Sequence, residues 1–173
     1  MIERVRAHLV RHLGDVQASA SVTFVGCEPL EVLRFDTAEG TTYASLGMSR
    51  HPMTDPTDPA PDLQRGPRAE VMVTLSPADD RILHPLAAVA MAPTVEGLVL
   101  VEGATIDTEA PLWPGAEATG FLVGEPAIED LVLGALAMES FDAGPTLAPV
   151  TFFRLTPITA DQIAMARSMR ARS

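Results

Sequence analysis

The sequence is poor in the residues that build disulfide frameworks. Its 173 residues include a single cysteine, Cys27, so an internal disulfide cannot form. Cys27 ends a predicted strand, where a thiol usually serves as a small core side chain. We therefore expect a protein of a reducing compartment, with the cytoplasm as its location.

Basic residues are also scarce. The chain has 12 Lys and Arg against 23 Asp and Glu, which gives a formal net charge of −11. Each contact to a phosphate group needs a basic side chain, and only these 12 are available along the chain. Neither nucleic acid nor an anionic membrane surface is expected as a partner.

Long apolar runs are absent from the first residues, which read MIERVRAHLVRHLG and are charged throughout. A signal peptide or a membrane-spanning helix would need an uninterrupted apolar segment there. The chain is 47% hydrophobic and 20% charged, and its length suits one domain with a full core. We expect a single domain over residues 1–173.

Three helices are predicted. Apolar residues recur at helical spacing from Ile2 to Leu13, and Gly14 is a natural stop. A central helix is expected within Asp79 to Met91, centred on Leu86 to Met91, where Pro85 would either start the main body or kink it. The Thr159-x-x-Gln162 capping box predicts a last helix that runs to Arg172.

Strands are predicted from β-branched, aromatic and alternating segments. They are Ser21–Cys27, Leu30–Asp36, Thr41–Leu46, Arg68–Leu75, Leu98–Val101, Gly120–Val123 and Val150–Leu155. Glu102–Thr119 is expected to be a loop, and the ambiguous run from Ile128 to Phe141 is given a strand around Leu131–Leu136. The fold class is therefore α+β, with a mixed, largely antiparallel sheet packed by N-terminal, central and C-terminal helices.

The segment Arg50 to Pro67 carries five prolines without apolar periodicity, which predicts an exposed loop. A long loop in a small domain is usually functional or disordered. In an enzyme it would be a lid with His51 as a base, and Asp55 and Asp58 could orient that imidazole or bind a cation. A solvated, rigid loop is the more frequent explanation of such a segment.

Other chemical signals are weak. His8 and His12 have metal-binding spacing without an evident third ligand, so no metal and no cofactor are expected. Ser45 and Ser49 lie outside any Gly-x-Ser-x-Gly elbow, and no catalytic residue is assigned. Trp113, between prolines, is either an anchor for a partner or a plug over the core edge.

Arg68 and Glu70 are two residues apart on a predicted strand, so their side chains point to the same face. One interpretation is a surface ion pair, which would contribute only about 0.2–1 kcal/mol. The other is that they fix the strand beside the Gly47 turn, where the backbone of Ser49 and Arg50 would be exposed. We favour a structural role for Glu70 and leave that of Arg50 open.

The ordered motifs resemble the suppressor-of-fused-like domain family. The segments that carry the resemblance are Tyr43-Ala44-Ser45-Leu46-Gly47-Met48-Ser49, Pro52-Met53, Arg68-Ala69-Glu70-Val71-Met72-Val73, and Phe152-Phe153-Arg154-Leu155-Thr156-Pro157-Ile158-Thr159 with the helix after it. The resemblance implies one α+β domain that binds protein and has no catalytic activity. It also implies structural positions, namely Gly47, Arg68, Glu70, Pro157 and Thr159.

Animal members of this family restrain a transcription factor by clamping a peptide in a β-strand manner, and bacterial members look like immunity proteins that neutralise toxins. The resemblance thus implies a protein partner here, and the charge of −11 favours a basic one, such as a toxin domain. The candidate binding residues are Met48, Ser49, Arg50, His51 and Trp113. The alternatives are a small hydrolase-like enzyme and a self-associating structural protein, including a homodimer.

Overall fold

A computed structural model describes residues 1–63, 65–133 and 147–172. Its helices are α1 (Ile2–Leu13), α2 (Leu83–Glu96) and α3 (Ala160–Ala171). Its strands are β1 (Val16–Val22), β2 (Leu30–Thr37), β3 (Gly40–Leu46), β4 (Arg68–Leu75), β5 (Thr105–Asp107), β6 (Ala118–Leu131) and β7 (Val150–Thr159). Two short 3₁₀ turns span Met48–Arg50 and Asp80–Ile82.

The strands form a seven-stranded sheet in the order β1-β2-β3-β4-β7-β6-β5. All neighbouring strands are antiparallel except β4 and β7, which run parallel from Arg68 opposite Val150 to Met72 opposite Arg154. This confirms the predicted α+β class with a mixed, largely antiparallel sheet.

Apolar residues fill both faces of the sheet, so each face needs a helical cover. On one face, Leu86 and Ala90 of α2 join a core that includes Val71 of β4. On the other face, Val5 and Leu9 of α1 pack with residues of four strands, namely Leu33, Phe35, Ala44, Met72 and Phe152. Helix α3 contacts β5, β6 and β7 and buries Ile163. The N-terminal, central and C-terminal helices therefore cover the sheet as predicted.

Several predicted strand bounds are wrong. The first strand begins at Val16 and ends at Val22, so Thr23–Cys27 is not part of it. Leu98–Val101 forms no strand, and the predicted loop Glu102–Thr119 contains β5. Strand β6 extends far beyond Gly120–Val123.

The strand predicted around Leu131–Leu136 is also not found as such. Leu131 is the last residue of β6, and Val132 and Leu133 are not in a strand. Residues 134–146, which hold the rest of the ambiguous run, lie outside the described residues.

The loop prediction for Arg50 to Pro67 is confirmed with one exception. After the 3₁₀ turn that ends at Arg50, the described residues up to Pro67 form no helix or strand, and most of them are exposed. Met53 is buried instead, and its backbone N–H donates to the carbonyl of Pro67 at 2.7 Å. The buried methionine thus ties the start of the loop to its end.

The three predicted helices are present, although α2 continues to Glu96, beyond the predicted end at Met91. Helix α1 has the predicted range, and Pro85 lies in the first turn of α2, where its missing N–H costs no intrahelical bond. At the start of α3, Thr159 Oγ1 accepts from the N–H of Gln162 at 3.3 Å, and Gln162 Oε1 accepts from the N–H of Thr159 at 2.8 Å. The capping box therefore satisfies two of the free amides of this helix end.

Replacement of Thr159 tests the contribution of this capping box. We expect Thr159→Ala to lower the free energy of unfolding by about 1 kcal/mol, because the N–H of Gln162 loses its acceptor. Thr159→Ser retains the hydroxyl and should retain most of the stability. Chemical denaturation of the three proteins measures both effects, and equal stability of the Ala and Ser variants would contradict the proposed contribution.

Tyr43, the single tyrosine, connects β3 to the turn before α2. Its hydroxyl donates to Asp80 Oδ1 at 2.8 Å, and Arg34 NH1 donates to the same oxygen at 3.0 Å. Burial raises the pKa of Tyr43 to about 12, and the hydrogen bond to Asp80 and the charge of Asp80 act in the same direction. The phenol is therefore held in its neutral form.

The absorbance of tyrosinate reports Tyr43 alone. We expect a midpoint near pH 12 in the folded protein, compared with about 10 in denaturant. Since the folded-state pKa is the higher one, the stabilisation from Tyr43 is complete below pH 10 and is lost as the pH rises towards 12. Asp80→Asn should lower the midpoint, with circular dichroism at each pH as the control for folding. A folded-state midpoint near 10 would show that the phenol is not held in this way.

Candidate binding surface around a buried carboxylate

The carboxylate of Glu70 is completely buried in β4 and is surrounded by donors. It accepts five hydrogen bonds, from the hydroxyls of Ser45 and Ser49 and from the backbone N–H groups of Gly47, Met48 and Ser49. The three backbone bonds are 3.0–3.1 Å long, and the bond from Ser45 is 2.7 Å. The side chain of Glu70 is therefore the hydrogen-bond acceptor for three consecutive backbone N–H groups of the turn.

The position of Glu70 in the ladder explains this arrangement. The pairing of β3 with β4 ends at Ala44 opposite Met72, and beyond that pair the two strands separate. Ser45 Oγ accepts from the N–H of Val71 at 2.9 Å, and the Glu70 carboxylate receives the amides of the turn. Side-chain oxygens thus replace the backbone carbonyls that a continued ladder would supply.

Gly47 is required at the start of this turn. Its φ of 131° lies in a region that side chains strongly disfavour. A Cβ atom at this position would also lie 2.9 Å from Arg50 NH1 and 3.1 Å from Leu30 Cδ1. The glycine therefore lets the backbone approach both the arginine and the core.

Two opposing effects act on the ionisation of Glu70. Burial raises the pKa of the carboxyl above its ordinary value, and the hydrogen bonds from Ser49, Ser45 and Gly47 offset only part of this rise. Both carboxyl oxygens accept from backbone N–H groups, which have no acceptor capacity to offer a carboxylic acid proton. The geometry therefore fits the ionised form.

Arg68 holds the same turn from its carbonyl side. Its side chain is buried, and NH1 donates to the carbonyls of Ser49 and Arg50 at 2.8 Å each. Burial lowers the pKa of Arg68. A surface ion pair is excluded because both Arg68 and Glu70 are buried, and the backbone expected to be exposed at Ser49 and Arg50 is bound by Arg68.

The outer side of the turn presents charged groups. Arg50 NH1 donates to the carbonyl of Pro29 at 2.9 Å and lies 3.8 Å from Glu28 Oε2. His51 Nε2 lies 3.8 Å from the same carboxylate oxygen. The side chains of His51 and Glu28 are mostly exposed, and that of Arg50 is about one third exposed. We call Glu28, Arg50 and His51 the ridge.

Clefts lie on both sides of the ridge, and Glu28 and Arg50 line both of them. The larger, which we call the α1 cleft, has a volume of about 790 Å³ between α1 and the sheet. Its lining includes a row of paired residues across three strands, Ser21, Glu31 and Leu46. The smaller, the α2 cleft, has a volume of about 190 Å³ and includes Ala90 and Met91.

The predicted binding residues do not form one site. Met48 and Ser49 are buried, so they position the turn and leave Arg50 and His51 as its accessible residues. Trp113 packs on the core of the α2 face, and the Arg81 guanidinium lies 5.4 Å from its ring centroid. Arg81, which contacts Trp113, precedes α2. The α2 cleft beside the ridge is lined by residues from the C-terminal half of α2, so the structure does not bring Trp113 to the ridge.

The histidine candidates have other partners. His8 Nε2 lies 2.7 Å from the carbonyl oxygen of Glu129, and its ring stacks on Phe152. Asp55 and Asp58 accept from the N–H groups of Thr57 and Ala60, while His51 lies beside Glu28. Among residues 1–63, 65–133 and 147–172, no group of three or more His, Cys, Asp or Glu side chains is arranged to hold a metal ion.

Charged residues of the α1 cleft were not identified from the sequence. Arg6 on α1 binds Glu31 on β2 at 3.0 Å, and Glu3 also lines the cleft. The spacing of apolar residues in α1 predicted which face of the helix is buried. It could not predict which charged residues line the α1 cleft, because that depends on how α1 packs on the sheet.

Two solved structures share this fold. A SUFU (suppressor of fused protein) homolog from Neisseria gonorrhoeae FA 1090 is 15% identical, with a TM-score of 0.60 over 96% of this chain and 81% of that chain. A chain of the Sufu-Fu complex is 13% identical, with a TM-score of 0.59 over 96% of this chain and 77% of that chain. Among curated proteins, none matches the sequence.

The sequence pattern of the suppressor of fused protein (SUFU) family matches residues 26–173. The chain belongs to this family, which confirms the resemblance seen in the motifs. In the described part of the chain, no helix has both the length and the apolar character needed to cross a membrane.

A substitution at Glu70 tests the turn-holding network. We expect Glu70→Gln to lower the free energy of unfolding by about 2 kcal/mol or more, because the new amide group faces backbone donors and leaves them unsatisfied. The surface variant Glu31→Gln is the matched control and should cost much less. Chemical denaturation at neutral pH measures both. Wild-type stability of Glu70→Gln would indicate that the carboxyl is neutral in the folded protein.

Proposed function

We propose that this chain is a non-catalytic protein-binding domain that contacts its partner through the ridge and the α1 cleft. The observation that carries this proposal is the double anchoring of the turn by Glu70 and Arg68. A turn held at its amides and its carbonyls is rigid before binding, so little ordering cost remains when a partner contacts Arg50 and His51.

The composition of the α1 cleft suits a segment of another protein. Ile2, Val10 and Leu46 give it an apolar floor, and a charged rim surrounds this floor. The rim residues are Glu3, Arg6, Glu28, Glu31 and Arg50. Apolar contacts at the centre with polar groups around them are the usual anatomy of a protein interface.

The charge of the chain suggests the kind of partner. With a net charge of −11, the protein attracts basic surfaces over long range and repels acidic ones. Toxin domains that act on nucleic acid carry such basic surfaces, and this charge complementarity supports an immunity or inhibitor role. The structurally similar Sufu chain was solved in a complex with Fu, which supports protein binding as the shared activity.

The buried serines support a role without catalysis. The hydroxyls of Ser45 and Ser49 both donate to Glu70 inside the core, where a substrate has no access. They act as structural donors in this network. For location we retain the cytoplasm, since Cys27 has no second cysteine to pair with.

A blocked cleft tests this proposal. Tagged wild-type protein should retain a basic partner from a lysate of its source organism, and this retention should weaken as the salt concentration rises. Ala7→Arg places a long side chain in the α1 cleft from an exposed helical position, so it should abolish retention.

The matched control is Ala164→Arg, which makes the same change at an exposed position of α3. It should retain the partner as well as the wild type does, and thermal melting should show that both variants are folded. Retention of the same partner by Ala7→Arg would show that the α1 cleft is not the contact surface.

A further inference from the structure

The strand β1 forms an open edge of the sheet. It pairs with β2 on one side, and no described strand pairs with its other side. Gln17, Ala18, Ser19 and Ser21 are all exposed. The opposite edge, β5, is only three residues long, and Arg167 of α3 donates to its Thr105. The longer and more accessible edge is therefore β1.

Natural proteins usually protect such an edge with a charge, a proline or a bulge. The seven residues of β1, VQASASV, contain no charge and no proline. A bulge at Gln17 is visible in the register, where Val16 opposite Phe35 is followed by Ala18 opposite Arg34. The bulge leaves Ala18 to Val22 as a regular strand with free backbone groups on its outer side.

The sequence of β1 is nearly palindromic about Ser19. Ala18 matches Ala20 and Val16 matches Val22, while Gln17 and Ser21 are both polar and uncharged. When two identical strands pair antiparallel around a two-fold axis at Ser19, Ala18 meets Ala20 on both sides of the axis, and the bulge at Gln17 shifts the pairing only beyond these residues. We propose that a second copy of this chain binds here, with β1 paired to β1 in one continuous sheet.

The charge of the protein argues for the same segment. Two chains that each carry −11 repel each other, so self-association is favoured only where the contact itself carries no charge. Pairing centred on Ser19 keeps like charges apart even beyond the strand, because Asp15 would lie opposite the uncharged stretch Val22 to Val25 of the second copy. Like charges directly opposite each other would destabilise such a ladder.

The geometry also sets the form of the dimer. The two-fold axis of an antiparallel strand pair is perpendicular to the sheet, so both α1 helices would lie on the same face. Two strand edges bury less area than the 1,200 Å² or so of a standard stable interface, so the dimer should be weak and concentration-dependent. Ser21 also lines the α1 cleft, so the second copy would border the surface proposed for another partner.

Sedimentation equilibrium of the purified protein over a range of concentrations tests the dimer. The apparent mass should rise from 18.4 kDa towards twice that value as the concentration increases. Ser19→Lys places two lysines opposite each other on the axis and should abolish this rise. Ser168→Lys makes the same change at an exposed position of α3 and should leave it unchanged.

A cysteine pair tests the register even if Ser19→Lys fails to fold. In a Cys27→Ser background, Ser19→Cys should form a disulfide-linked dimer under mild oxidation, since the two cysteines face each other. Ser21→Cys should not, because the two copies of Ser21 lie on opposite sides of the axis at Ser19 and do not face each other. A monomer at every concentration, equal dimerisation of the two lysine variants, or cross-linking of Ser21→Cys without that of Ser19→Cys would each overturn the proposal.

Discussion

The structure depends on a charge placed where charges are normally excluded. An isolated carboxylate in a protein core is very unfavourable, and it is tolerated only when its oxygens are fully hydrogen-bonded. Glu70 meets this condition with five donors from a single stretch of chain, Ser45 to Ser49. The turn depends on Glu70 in the same way, because the backbone N–H groups of Gly47, Met48 and Ser49 donate to this carboxylate. Each part therefore fixes the conformation of the other.

This constraint sets the shape of the surface above it. Where β3 leaves β4, the chain turns outward, and it returns to the sheet only at Arg68. The departure creates the ridge, and Arg68 holds the turn from below at its carbonyls. Met53 then anchors the intervening loop near its start. Arg50, which is partly exposed, and His51, which is mostly exposed, are thus held in position by the buried side chains of Glu70 and Arg68.

Much of the fold could be predicted because its elements carry strong local signals. The apolar spacing of α1, the alternation in β4 and the capping box at Thr159 each specify an element without help from the rest of the chain. The weaker segments lacked such signals. Strand β1 is made of small polar residues and owes its conformation to pairing with β2, and β6 was shortened in the prediction because Gly124 and Pro126 interrupt its apolar pattern.

The site was less predictable, for a physical reason. The sequence places Arg68 and Glu70 on one face of a strand, but burial is a property of packing and cannot be inferred from spacing. A charged pair on an exposed strand and a charged pair beneath a turn have the same local pattern. In the same way, Trp113 has the composition of a binding anchor, and only the tertiary structure shows it beside Arg81, away from the ridge.

The single parallel pair, β4 with β7, has a consequence for how the chain folds. Strands β1 to β4 are successive antiparallel neighbours, whereas Arg68 must find Val150 across most of the second half of the chain. Contacts between such distant residues form late and slowly. Until they form, β4 and β7 each expose an unpaired edge rich in apolar residues such as Val71 and Phe152. Refolding at high concentration should therefore be most prone to aggregation before this central pair closes.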